Sequence, residues 1–593
     1  MVKAAKHYPV PTIKRRAIDT AREQSALAAG LDPLVANILA GRPFLPEYTA
    51  ADLLSPKLRM LMNPNSLPDI AHSVERLILA LENKEMIGIE TDHDCDGQTS
   101  HAVIYTALTE HFGHPKERIQ SYIGHRLKEG YGLSPALLKR ILADDPLPSL
   151  IITADNGSSD EAQIKVLKAA GVDVIVTDHH EIPLEGIPQS AYGVINPTRP
   201  ESEYPDPYIA GCFVAWLLMA ATRQKLLEKN KAIPSLADCL DFVAVGTIAD
   251  CVSIARSVNN RAVVAYGMRL IQAGTRPCWR AVIPLLNGGP LCSEDLGFKI
   301  GPLLNSDGRL ACAFGSVSFL LSTQDDEAQQ WILHLQAQNA ERKKIQDDLT
   351  KKATEKAYEQ YRAGKSSLCV FLEDGHAGVH GICASRIKDR FGRPVLVFCP
   401  KAEDENLLTG SARSIEEVHI REALQAVYDY QPDLMVRFGG HRGAAGALIP
   451  RKTLAEFAAA FEVAVNNQLG DKPFGPVVWT DGELPIDKLE VEHIENLNST
   501  LEPFGREFEA PQFELMGQVQ SIALMGQTKI HARLSLILEN RRFEGVWFSC
   551  RESEAHPVPI AVGEWAKVVF SPKVQTFRGE RKLSCHIVHL QKA

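Results

Sequence analysis

The sequence lacks three features that would place it in a specialised class of proteins. Its 12 cysteines are scattered without one C-x-x-C pair, which argues against zinc ribbons and disulfide frameworks. The longest apolar run, 208–221, is shorter than the roughly 20 residues that cross a bilayer, so we expect a buried helix and no membrane partner. The opening stretch MVKAAKHYPV has no apolar core of signal-peptide length. These absences favour a cytoplasmic, reducing location.

The sequence also lacks the excess of basic charge that is typical of nucleic-acid-binding proteins. Its formal net charge at pH 7 is -9. Phosphate binding usually leaves a basic footprint, so this balance argues against a nucleic-acid partner. The objection is partial, because a site that concentrates aspartates for metal ions is acidic by design. Local basic patches would still be required.

Between positions 84 and 180, short apolar runs alternate with amphipathic stretches, which is the pattern of βαβ units around a parallel sheet. The predicted strands are 86–91, 149–154 and 172–177, and the predicted helices are 99–112, 134–143 and 162–170. Polar residues follow each strand at once, which is where open α/β sheets bind their ligands. We therefore expect three strand ends to converge on one site.

The second half of the chain predicts three more structural units. Positions 323–362 contain no proline or glycine, and they mix charged and apolar residues at helical spacing, which predicts one long helix between two domains. A second α/β unit follows, with predicted strands at 368–372 and 394–398 and helices at 379–390, 420–428 and 453–466. The later strand-like runs predict a small β-barrel, at 517–524, 531–538, 543–548, 566–570 and 583–590.

The strongest candidate site is the run from Asp92 to Gly97, which reads D-H-D-C-D-G. Calcium loops of the EF-hand type also begin D-x-D-x-D-G. The glutamate that such a loop requires would fall at Val103, and a strand rather than a helix precedes the run, so the calcium interpretation fails. A solvated acidic turn is the other alternative, but three carboxylates in so short a run would repel one another without cations. We therefore predict a metal site.

Three further motifs lie where a neighbouring strand or helix is predicted to end. Asp155 begins a D-N-G sequence that alone is a common turn, but an aspartate at this strand end can bridge two cations held by the first motif. Adjacent strand residues point to opposite faces, so only one histidine of the D-H-H triplet 178–180 is expected to bind metal. We assign His179 to the metal and His180 to phosphate binding or proton transfer. Asp250 ends a helical stretch, where it is equally a helix cap or a ligand.

Taken together, these motifs resemble the signature set of the DHH phosphoesterase superfamily, which is named for the triplet found here at 178–180. The resemblance is closest to its bacterial single-strand-specific exonucleases, and it covers nearly the whole chain. Other matching stretches are RLKEGYG at 126–132, NSDGR at 305–309, HGICASR at 380–386, GSARS at 410–414 and GGH at 439–441. The last three are similar to the DHH-associated domain, and the order and spacing of the motifs agree.

The sequence departs from the family pattern in three places. The first motif usually reads G-D-Y-D-x-D-G, whereas Thr91 and His93 stand here in place of the glycine and the tyrosine. Asp307 adds an acid to the N-A-x-G-R element. After Pro503, Phe504 and Gly505, the residues 506–509 differ from the usual G-x-N-P continuation. Because the metal aspartates are all retained, these changes bear on substrate handling more than on chemistry.

The resemblance and the patterns together imply a multidomain α/β protein. A parallel-sheet DHH domain is expected at 76–322 after an N-terminal helical segment at 1–75. A connecting helix at 323–364 would join it to a DHH-associated α/β domain at 365–474. An OB-like β-barrel would follow at 475–593.

The resemblance also implies two cation sites that share a bridging ligand. One ion would be held by Asp96, Asp155, His179 and Asp250. The other would be held by Asp94 and the bridging Asp155, with Asp92 as a further candidate, and Asp178 would support the ligands from behind. Carboxylate oxygens suit Mg²⁺, and an added imidazole shifts the preference towards Mn²⁺, so two such divalent cations are the expected cofactors.

Hydrolysis of a phosphodiester places negative charge on the phosphate oxygens, so cationic donors are expected opposite the metals. The candidates are Arg309, Arg413 and His441, with Gly439 and Gly440 allowing close backbone approach. Further substrate contacts are expected from Ser411 and, to the DNA backbone, from Arg126. The alternative is a solvated charge for each arginine and a turn residue for His441, and the resemblance favours the functional interpretation.

The predicted barrel offers a groove for single-stranded DNA. Bases would stack on Trp547, Phe548 and Phe577, and phosphates would contact Arg578, Arg581 and Lys582. The alternative for the aromatic residues is the barrel core, and for Trp547 we favour the core.

These observations predict a metal-dependent exonuclease that degrades single-stranded DNA from 5′ to 3′ and releases 5′-mononucleotides in DNA repair and recombination. The polarity, the products and a partnership with single-strand-binding protein and a helicase rest on the resemblance alone. One alternative is a phosphodiesterase for oligonucleotides or cyclic dinucleotides, but such small DHH relatives lack the barrel and the long helix. The other is a non-catalytic, single-stranded-DNA-binding replication scaffold that has lost its metal ligands, all of which are present here.

Overall fold

Parallel strands and helices alternate through the first part of the chain, and antiparallel strands dominate its C-terminal part. The computed structural model describes residues 7–126, 128–229, 231–286, 289–310, 312–402, 404–538, 541–577 and 580–593, with the backbone alone for Thr576 and Phe577. In chain order the strands are β1 (Thr12–Arg15), β2 (Ile87–Thr91), β3 (Ile119–Ile123), β4 (Leu150–Ala154), β5 (Asp173–Thr177), β6 (Gly193–Ile195), β7 (Leu368–Phe371), β8 (Val395–Lys401), β9 (Asp404–Arg413), β10 (Arg437–Gly440), β11 (Ala444–Pro450), β12 (Val477–Thr480), β13 (Phe513–Met525), β14 (His531–Leu538), β15 (Arg541–Trp547), β16 (Trp565–Phe577) and β17 (Glu580–Lys592).

The helices connect these strands. In chain order they are α1 (Thr20–Ala28), α2 (Pro33–Ala40), α3 (Ala50–Leu54), α4 (Ile70–Asn83), α5 (Cys95–Thr106), α6 (Pro135–Ile141), α7 (Glu161–Ala169), α8 (Gly211–Glu228), α9 (Leu240–Ala249), α10 (Val258–Gln272), α11 (Pro277–Val282), α12 (Ser293–Asp295), α13 (Gly301–Leu310), α14 (Phe314–Leu320), α15 (Asp325–Arg362), α16 (His380–Phe391), α17 (Ile420–Tyr430), α18 (Leu454–Leu469) and α19 (Val491–Leu501). Among the helices of the described residues, none combines the length and the apolar character of a membrane span.

The chain divides into two compact units, and the first, the parallel-sheet unit, comprises Pro43–Lys344 and Glu502–Glu509. Its sheet has the order β3-β2-β4-β5-β6, and every neighbouring pair is parallel. Strands β2 and β4 are buried along their whole length, as expected for parallel strands covered by helices. Their sequences, IGIET and LIITA, are therefore apolar runs rather than alternating patterns.

The register of this sheet places three strand ends side by side. Thr91 of β2 pairs with Ala154 of β4, which pairs with Thr177 of β5. The residue after each of these three is an aspartate, at positions 92, 155 and 178. The predicted convergence of three strand ends is confirmed.

Helix α5 begins at Cys95 rather than at the predicted position 99. The carboxylate of Asp94 accepts hydrogen bonds from the backbone N–H groups of Asp96 at 3.0 Å and Gly97 at 3.2 Å, so it caps the helix. A Cβ atom at Gly97 would lie 2.3 Å from the carbonyl oxygen of Asp92, so the turn requires glycine. The acidic run is therefore the cap and first turn of a helix, not a loop before one.

The segment Glu502–Glu509 packs within the parallel-sheet unit, although the residues on both sides of it belong to the other unit. The buried guanidinium of Arg261 donates to the carbonyl oxygen of Pro503 at 3.1 Å and lies 4.2 Å from the ring centroid of Phe508. Ser253 donates a hydrogen bond to Glu507, one of the residues that depart from the family pattern. Through the contact with Ser253, the segment stabilises the loop that follows Asp250.

The second unit, the barrel unit, comprises Met1–Arg42, Ile345–Leu501 and Ala510–Ala593. It contains a mixed sheet of order β10-β11-β9-β8-β7, in which β7 and β8 are parallel. Strand β9 was not predicted, because polar residues dominate its sequence DENLLTGSAR. A Cβ atom at Gly410, within β9, would lie 2.4 Å from the ring of Phe398, so close packing explains a glycine inside this strand.

The C-terminal strands form a closed barrel with the order β13-β14-β15-β17-β16, which confirms the predicted OB-like barrel. Strands β16 and β17 extend beyond their predicted limits as a long hairpin. The N-terminal segment that was expected to be helical also contributes β1, which pairs in parallel with β12. In the same region, Arg42 and Asp481 form a buried ion pair at 2.5 Å.

Candidate metal centre and phosphate-binding residues

Asp96 lies at the N-terminus of α8, where two backbone amides hold its carboxylate. The N–H of Gly211 donates to Oδ2 at 2.7 Å, and the N–H of Cys212 donates to Oδ1 at 3.0 Å. The positive end of the helix dipole adds to this stabilisation. The residue is 1% exposed, and its carboxylate is fixed in one orientation.

The first group of candidate ligands surrounds the imidazole of His179. Its Nε2 atom lies 3.2 Å from Oδ1 of Asp155, 3.5 Å from Oδ2 of Asp250 and 3.8 Å from Oδ2 of Asp96. One donor atom each from Asp96, His179 and Asp250 lies within 4.8 Å of the other two. Donor atoms from two strand ends (Asp155 and His179) and two helix ends (Asp96 and Asp250) are therefore close enough to bind one ion.

The second group consists of Asp92, Asp94 and Asp155, whose donor atoms also lie within 4.8 Å of one another. Asp155 thus adjoins both groups, which is the arrangement expected of a bridging ligand. Its backbone φ is +63°, a left-handed conformation that aspartate tolerates better than most residues. A Cβ atom at Gly211 would lie 2.8 Å from Oδ1 of Asp155, so only a glycine permits this approach.

The electrostatics of the two groups fit divalent cations. Burial, followed by the charges of Asp96 and Asp94, raises the pKa of Asp155 well above its usual range. Burial and the same two charges also raise the pKa of Asp250 well above its usual range. Oδ1 of Asp155 is buried and accepts no hydrogen bond from any described residue. A carboxylate-rich set with one imidazole matches Mn²⁺ or Mg²⁺ in donor chemistry.

Asp178 lies behind the ligands and orients both histidines of the triplet. Its Oδ1 accepts from the N–H of His179 at 2.7 Å and lies 2.7 Å from Nδ1 of His180, while its Oδ2 accepts from the N–H of Ser158 at 3.1 Å. Burial lowers the pKa of His180, but the charge and hydrogen bond of Asp178, with the charges of Asp250 and Asp92, outweigh burial and raise it to about 10. Nε2 of His180 faces the hydroxyl of Tyr131 at 3.2 Å.

Helix α13 packs against the acidic run and carries Arg309 in its last turn. The side chain of Asn305 accepts a hydrogen bond from the N–H of Cys95 at 2.8 Å. A Cβ atom at Gly308 would lie 2.0 Å from the carbonyl oxygen of His93, so the two backbones are in close contact. Burial raises the pKa of Asp92, but the charge and hydrogen bonds of His93 outweigh burial and lower it below its usual range. The charge of Arg126 lowers the same pKa more weakly, which indicates that Arg126 is also near the run.

The other predicted phosphate contacts gather at one edge of the mixed sheet in the barrel unit. Nη1 of Arg413 donates to Oγ of Ser411 at 3.1 Å. Arg413 pairs with Ala444 across β9 and β11, and the N–H of His441 donates to the carbonyl oxygen of Ala444 at 2.8 Å. Gly440 has a φ of +137°, and a Cβ atom there would lie 2.4 Å from Cα of Ala445. Apart from its chain neighbours, no described residue comes within 4 Å of a Cβ built at Gly439, which leaves its backbone accessible.

Sequence patterns assign no role to several residues that build the centre. These are Gly211, Asn305, Tyr131 and His93. Tyr131 lies within the matching stretch 126–132, and that position was the available signal. His93 differs from the family pattern, and its Nδ1 lies 2.8 Å from Oδ1 of Asp92. Asn305 likewise lies within the matching stretch 305–309, whereas Gly211 carried no local signal, because its partners are distant in sequence.

Among the predicted barrel contacts, Phe548 is 53% exposed and its ring lies between those of His531 and His586, at 5.5 and 5.4 Å. Trp547 is half-buried. Arg581 is paired with Glu495, and Lys582 lies 3.0 Å from Glu580. Arg578 and the side chain of Phe577 lie outside the described residues, as does Leu127 of the 126–132 stretch.

Three family models match successive parts of the chain. The N-terminal domain of the DHH family matches residues 86–247, the DHHA1 domain matches 364–467, and the RecJ OB domain matches 480–589. The predicted combination of a DHH domain, a DHH-associated domain and an OB-like barrel is thereby confirmed.

Whole-length relatives agree with these matches. The single-stranded-DNA-specific exonuclease RecJ of Dickeya dadantii is 34% identical over 91% of this chain and 93% of its own length. The protein of the same name from Escherichia coli is 32% identical over 96% of this chain and 97% of its own length. A crystal structure of RecJ with Mn²⁺ from Thermus thermophilus has the same fold, with a TM-score of 0.78 at 24% identity, over 98% of this chain and 80% of that one.

A second solved structure, exonuclease RecJ bound to manganese, is 28% identical and has a TM-score of 0.56 over 68% of this chain and 96% of its own. The relatives from Dickeya dadantii and Escherichia coli are matched almost from end to end, at 34% and 32% identity. The chain belongs to the RecJ family.

Proposed function

We propose that this protein is a divalent-metal-dependent exonuclease that hydrolyses single-stranded DNA. Digestion from 5′ to 3′ with release of 5′-mononucleotides, in DNA repair and recombination, is part of the proposal. The observation that carries it is the intact set of candidate ligands, Asp92, Asp94, Asp96, Asp155, His179 and Asp250, in a chain of the RecJ family. The names of the relatives supply the substrate class.

The ligands would hold two divalent cations, Mn²⁺ or Mg²⁺, with Asp155 between them. When bound, such a pair activates water as a nucleophile and stabilises the negative charge that develops on the phosphate oxygens. Asp96 contributes a carboxylate that the α8 amides have already fixed, so binding an ion requires little reorganisation of that side chain. His179 is oriented by its backbone hydrogen bond to Asp178.

Protonated His180 would act as a cationic donor towards the phosphate. Its Nδ1 proton is shared with Asp178, which leaves Nε2 and the hydroxyl of Tyr131 as the polar atoms facing outward. Arg309 and Arg126 would contact phosphates beside the acidic run. Arg413, Ser411, His441 and the backbone of Gly439 and Gly440 would bind phosphate from the mixed sheet. Each of these roles is a proposal that mutation can test.

The proposed substrate predicts which ends and strands the protein attacks. Oligonucleotides labelled at either terminus, with each terminus blocked in turn, should be digested with Mn²⁺ from an open 5′ end only. Duplex DNA of the same sequence should resist digestion. Degradation from the 3′ end would contradict the proposed polarity, and equal rates on duplex would contradict the strand preference.

Two other functions make different predictions in the same assays. A phosphodiesterase for oligonucleotides or cyclic dinucleotides would hydrolyse these faster than long single strands. A replication scaffold would bind single-stranded DNA without hydrolysing it, and it would bind no Mn²⁺ in calorimetry. The barrel and the complete ligand set favour the exonuclease over both.

We propose a cytoplasmic location and, as partners, single-strand-binding protein and a helicase that supplies single strands. We also propose five domains, whose first four end at residues 75, 322, 364 and 474. The segment Glu502–Glu509 lies within the fifth domain in sequence but packs in the parallel-sheet unit. Stimulation of digestion on DNA covered with single-strand-binding protein, absent with an unrelated DNA-binding protein, would test the partnership.

A further inference from the structure

A second group of metal-binding side chains lies in the parallel-sheet unit. His111 ends the π-helical segment Ala107–His111 that continues α5, and Asp238 and Cys239 belong to the short turn Leu236–Cys239 before α9. Nε2 of His111 is 3.2 Å from Oδ2 of Asp238 and 4.0 Å from Sγ of Cys239. One donor atom from each residue lies within 4.8 Å of the other two.

The donor atoms of this group differ in chemistry from the carboxylate-rich donors of the candidate metal centre. They are one imidazole nitrogen, one carboxylate oxygen and one sulfur. Zn²⁺ accepts this mixture in tetrahedral sites with bonds of about 2.0 to 2.3 Å, which places donors about 3.3 to 3.8 Å apart. The observed separations are close to that range. Mg²⁺ and Mn²⁺ prefer oxygen, so the two groups are suited to different ions.

The surroundings allow an ion to enter and remain. The side chain of His111 is 7% exposed and Cys239 is fully buried, whereas the side chain of Asp238 is 47% exposed. Two donors are therefore held by packing, and the third lies at the surface. An ion would keep its fourth position on the solvent side, where water can occupy it.

Arg276 is a cation that already contacts the carboxylate of this group. Its Nη2 is 3.3 Å from Oδ2 of Asp238. Its stronger contacts are elsewhere, because Nε donates to Asp241 at 2.7 Å and the guanidinium lies 4.5 Å from the ring centroid of Phe242. It can release Asp238 and keep both contacts. Asp238 and Asp241 both contact this guanidinium, so the charges beside the group comprise two carboxylates and one cation.

We propose that His111, Asp238 and Cys239 form a Zn²⁺ site that clamps the ends of α5 and α9 remote from the catalytic ligands. Helix α5 carries Asp96 in its first turn and His111 beyond its last, about 20 Å away at 1.5 Å per residue. Helix α9 follows Cys239, and Asp250 is its C-cap residue. The two helices pack against each other, so an ion at one end restrains the relative position of Asp96 and Asp250 at the other.

Binding would exchange a proton for the metal. Cys239 is fully buried, and a thiol in such surroundings is neutral without an ion. When Zn²⁺ enters, the S–H bond breaks, the S–Zn bond forms, and the proton passes to the solvent. The site requires no step of the proposed nuclease reaction and can be tested without DNA.

The test uses the full chain and Co²⁺ as a spectroscopic substitute for Zn²⁺. We expect a thiolate-to-cobalt charge-transfer band that one equivalent of Zn²⁺ abolishes and that excess Mg²⁺ leaves unchanged. Cys239→Ser should lose the band. Cys369→Ser, which removes a half-buried thiol in the barrel unit, should keep it. Asp155→Asn should also keep it, which separates this site from the catalytic ions.

A second variant guards against misfolding of Cys239→Ser. Asp238→Asn changes a half-exposed side chain and should weaken Zn²⁺ binding by at least about 10-fold, since even outer-shell changes cost that much. Zn²⁺ should raise the melting temperature of the wild type more than that of Asp238→Asn. Absence of the band in the wild type, or an equal band in Cys239→Ser, would overturn the proposal.

Discussion

Nε2 of His179 lies 3.2 Å from Oδ1 of Asp155, although the two residues follow different strands of the parallel sheet. The contact exists because Ala154 and Thr177 are paired in register, so the residues beyond them meet at the same edge. Asp155 also adjoins Asp92 and Asp94, which makes it the residue shared by both ligand groups.

We expect Asp155→Asn to abolish hydrolysis. Loss of an outer-shell partner typically costs about 10- to 100-fold, so loss of a shared ligand should cost more than about 100-fold in turnover. Asparagine tolerates the left-handed backbone at this position, so the fold should be retained. Without metal the variant should melt above the wild type, because one member of a repelling carboxylate cluster is neutralised. Turnover within a few-fold of wild type would refute the bridging role.

Asp178→Asn should reduce turnover by about 10- to 100-fold without abolishing Mn²⁺ binding, as expected for a residue that orients ligands. The substitution removes the negative charge that raises the pKa of His180. The measurements are turnover and calorimetric Mn²⁺ affinity. The control is Asp160→Asn, which neutralises a nearby half-buried carboxylate that accepts a hydrogen bond from the N–H of Leu133. Complete loss of metal binding in Asp178→Asn would mean that Asp178 is itself a ligand.

Metal binding should stabilise the fold as well as support activity. A chelator should abolish hydrolysis, and Mn²⁺ should restore it. At a concentration 100 times the dissociation constant, each bound ion should add about 2.7 kcal/mol to the free energy of unfolding. Denaturant titrations with and without Mn²⁺ measure this gain. Equal stability in both conditions, in the wild type, would contradict the assigned ligand set.

Arg413→Ala should lower turnover by about 10²- to 10³-fold if its guanidinium stabilises charge on the phosphate. Calorimetric Mn²⁺ affinity should be unchanged, because the ligands lie in the other unit. The matched control is Arg451→Ala, which removes the same charge at the opposite end of the β9–β11 pair, where Arg451 is paired with Glu373. An equal loss in both variants would point to a general charge effect instead.

The pH dependence of stability should include a contribution from Asp206. Burial raises its pKa from 3.8 to about 6, against the hydrogen bonds from Ser257 and Asn259. Asp206 therefore binds a proton more tightly in the folded state than in the unfolded state. Its contribution to the free energy of unfolding, up to about 3 kcal/mol, is lost as the pH rises from about 4 to 6. The stability of the wild type relative to Asp206→Asn should fall across that window. A constant difference would contradict the raised pKa.

Local sequence patterns and the family resemblance together selected the candidate residues of the metal centre, because Asp250 alone was equally a helix cap. Apolar runs marked β2, β4 and β5, and the carboxylates and histidines directly after them marked the edge where ligands bind. The long helix and the barrel were also predictable, because helical spacing and strand alternation are local patterns. Limits at element ends were less accurate, since a cap such as Asp94 changes where α5 begins.

How those residues are held depends on contacts between distant parts of the chain. The amides of Gly211 and Cys212 that fix Asp96 belong to a helix more than a hundred positions away. The local sequence around Asp96 does not predict that contact. The same is true of β9, whose polar sequence is a strand because its neighbours supply the hydrogen bonds, and of Glu502–Glu509, which packs in a different unit from its flanking residues. Local chemistry selects the candidate residues, whereas long-range packing selects which backbone amides and carboxylates meet.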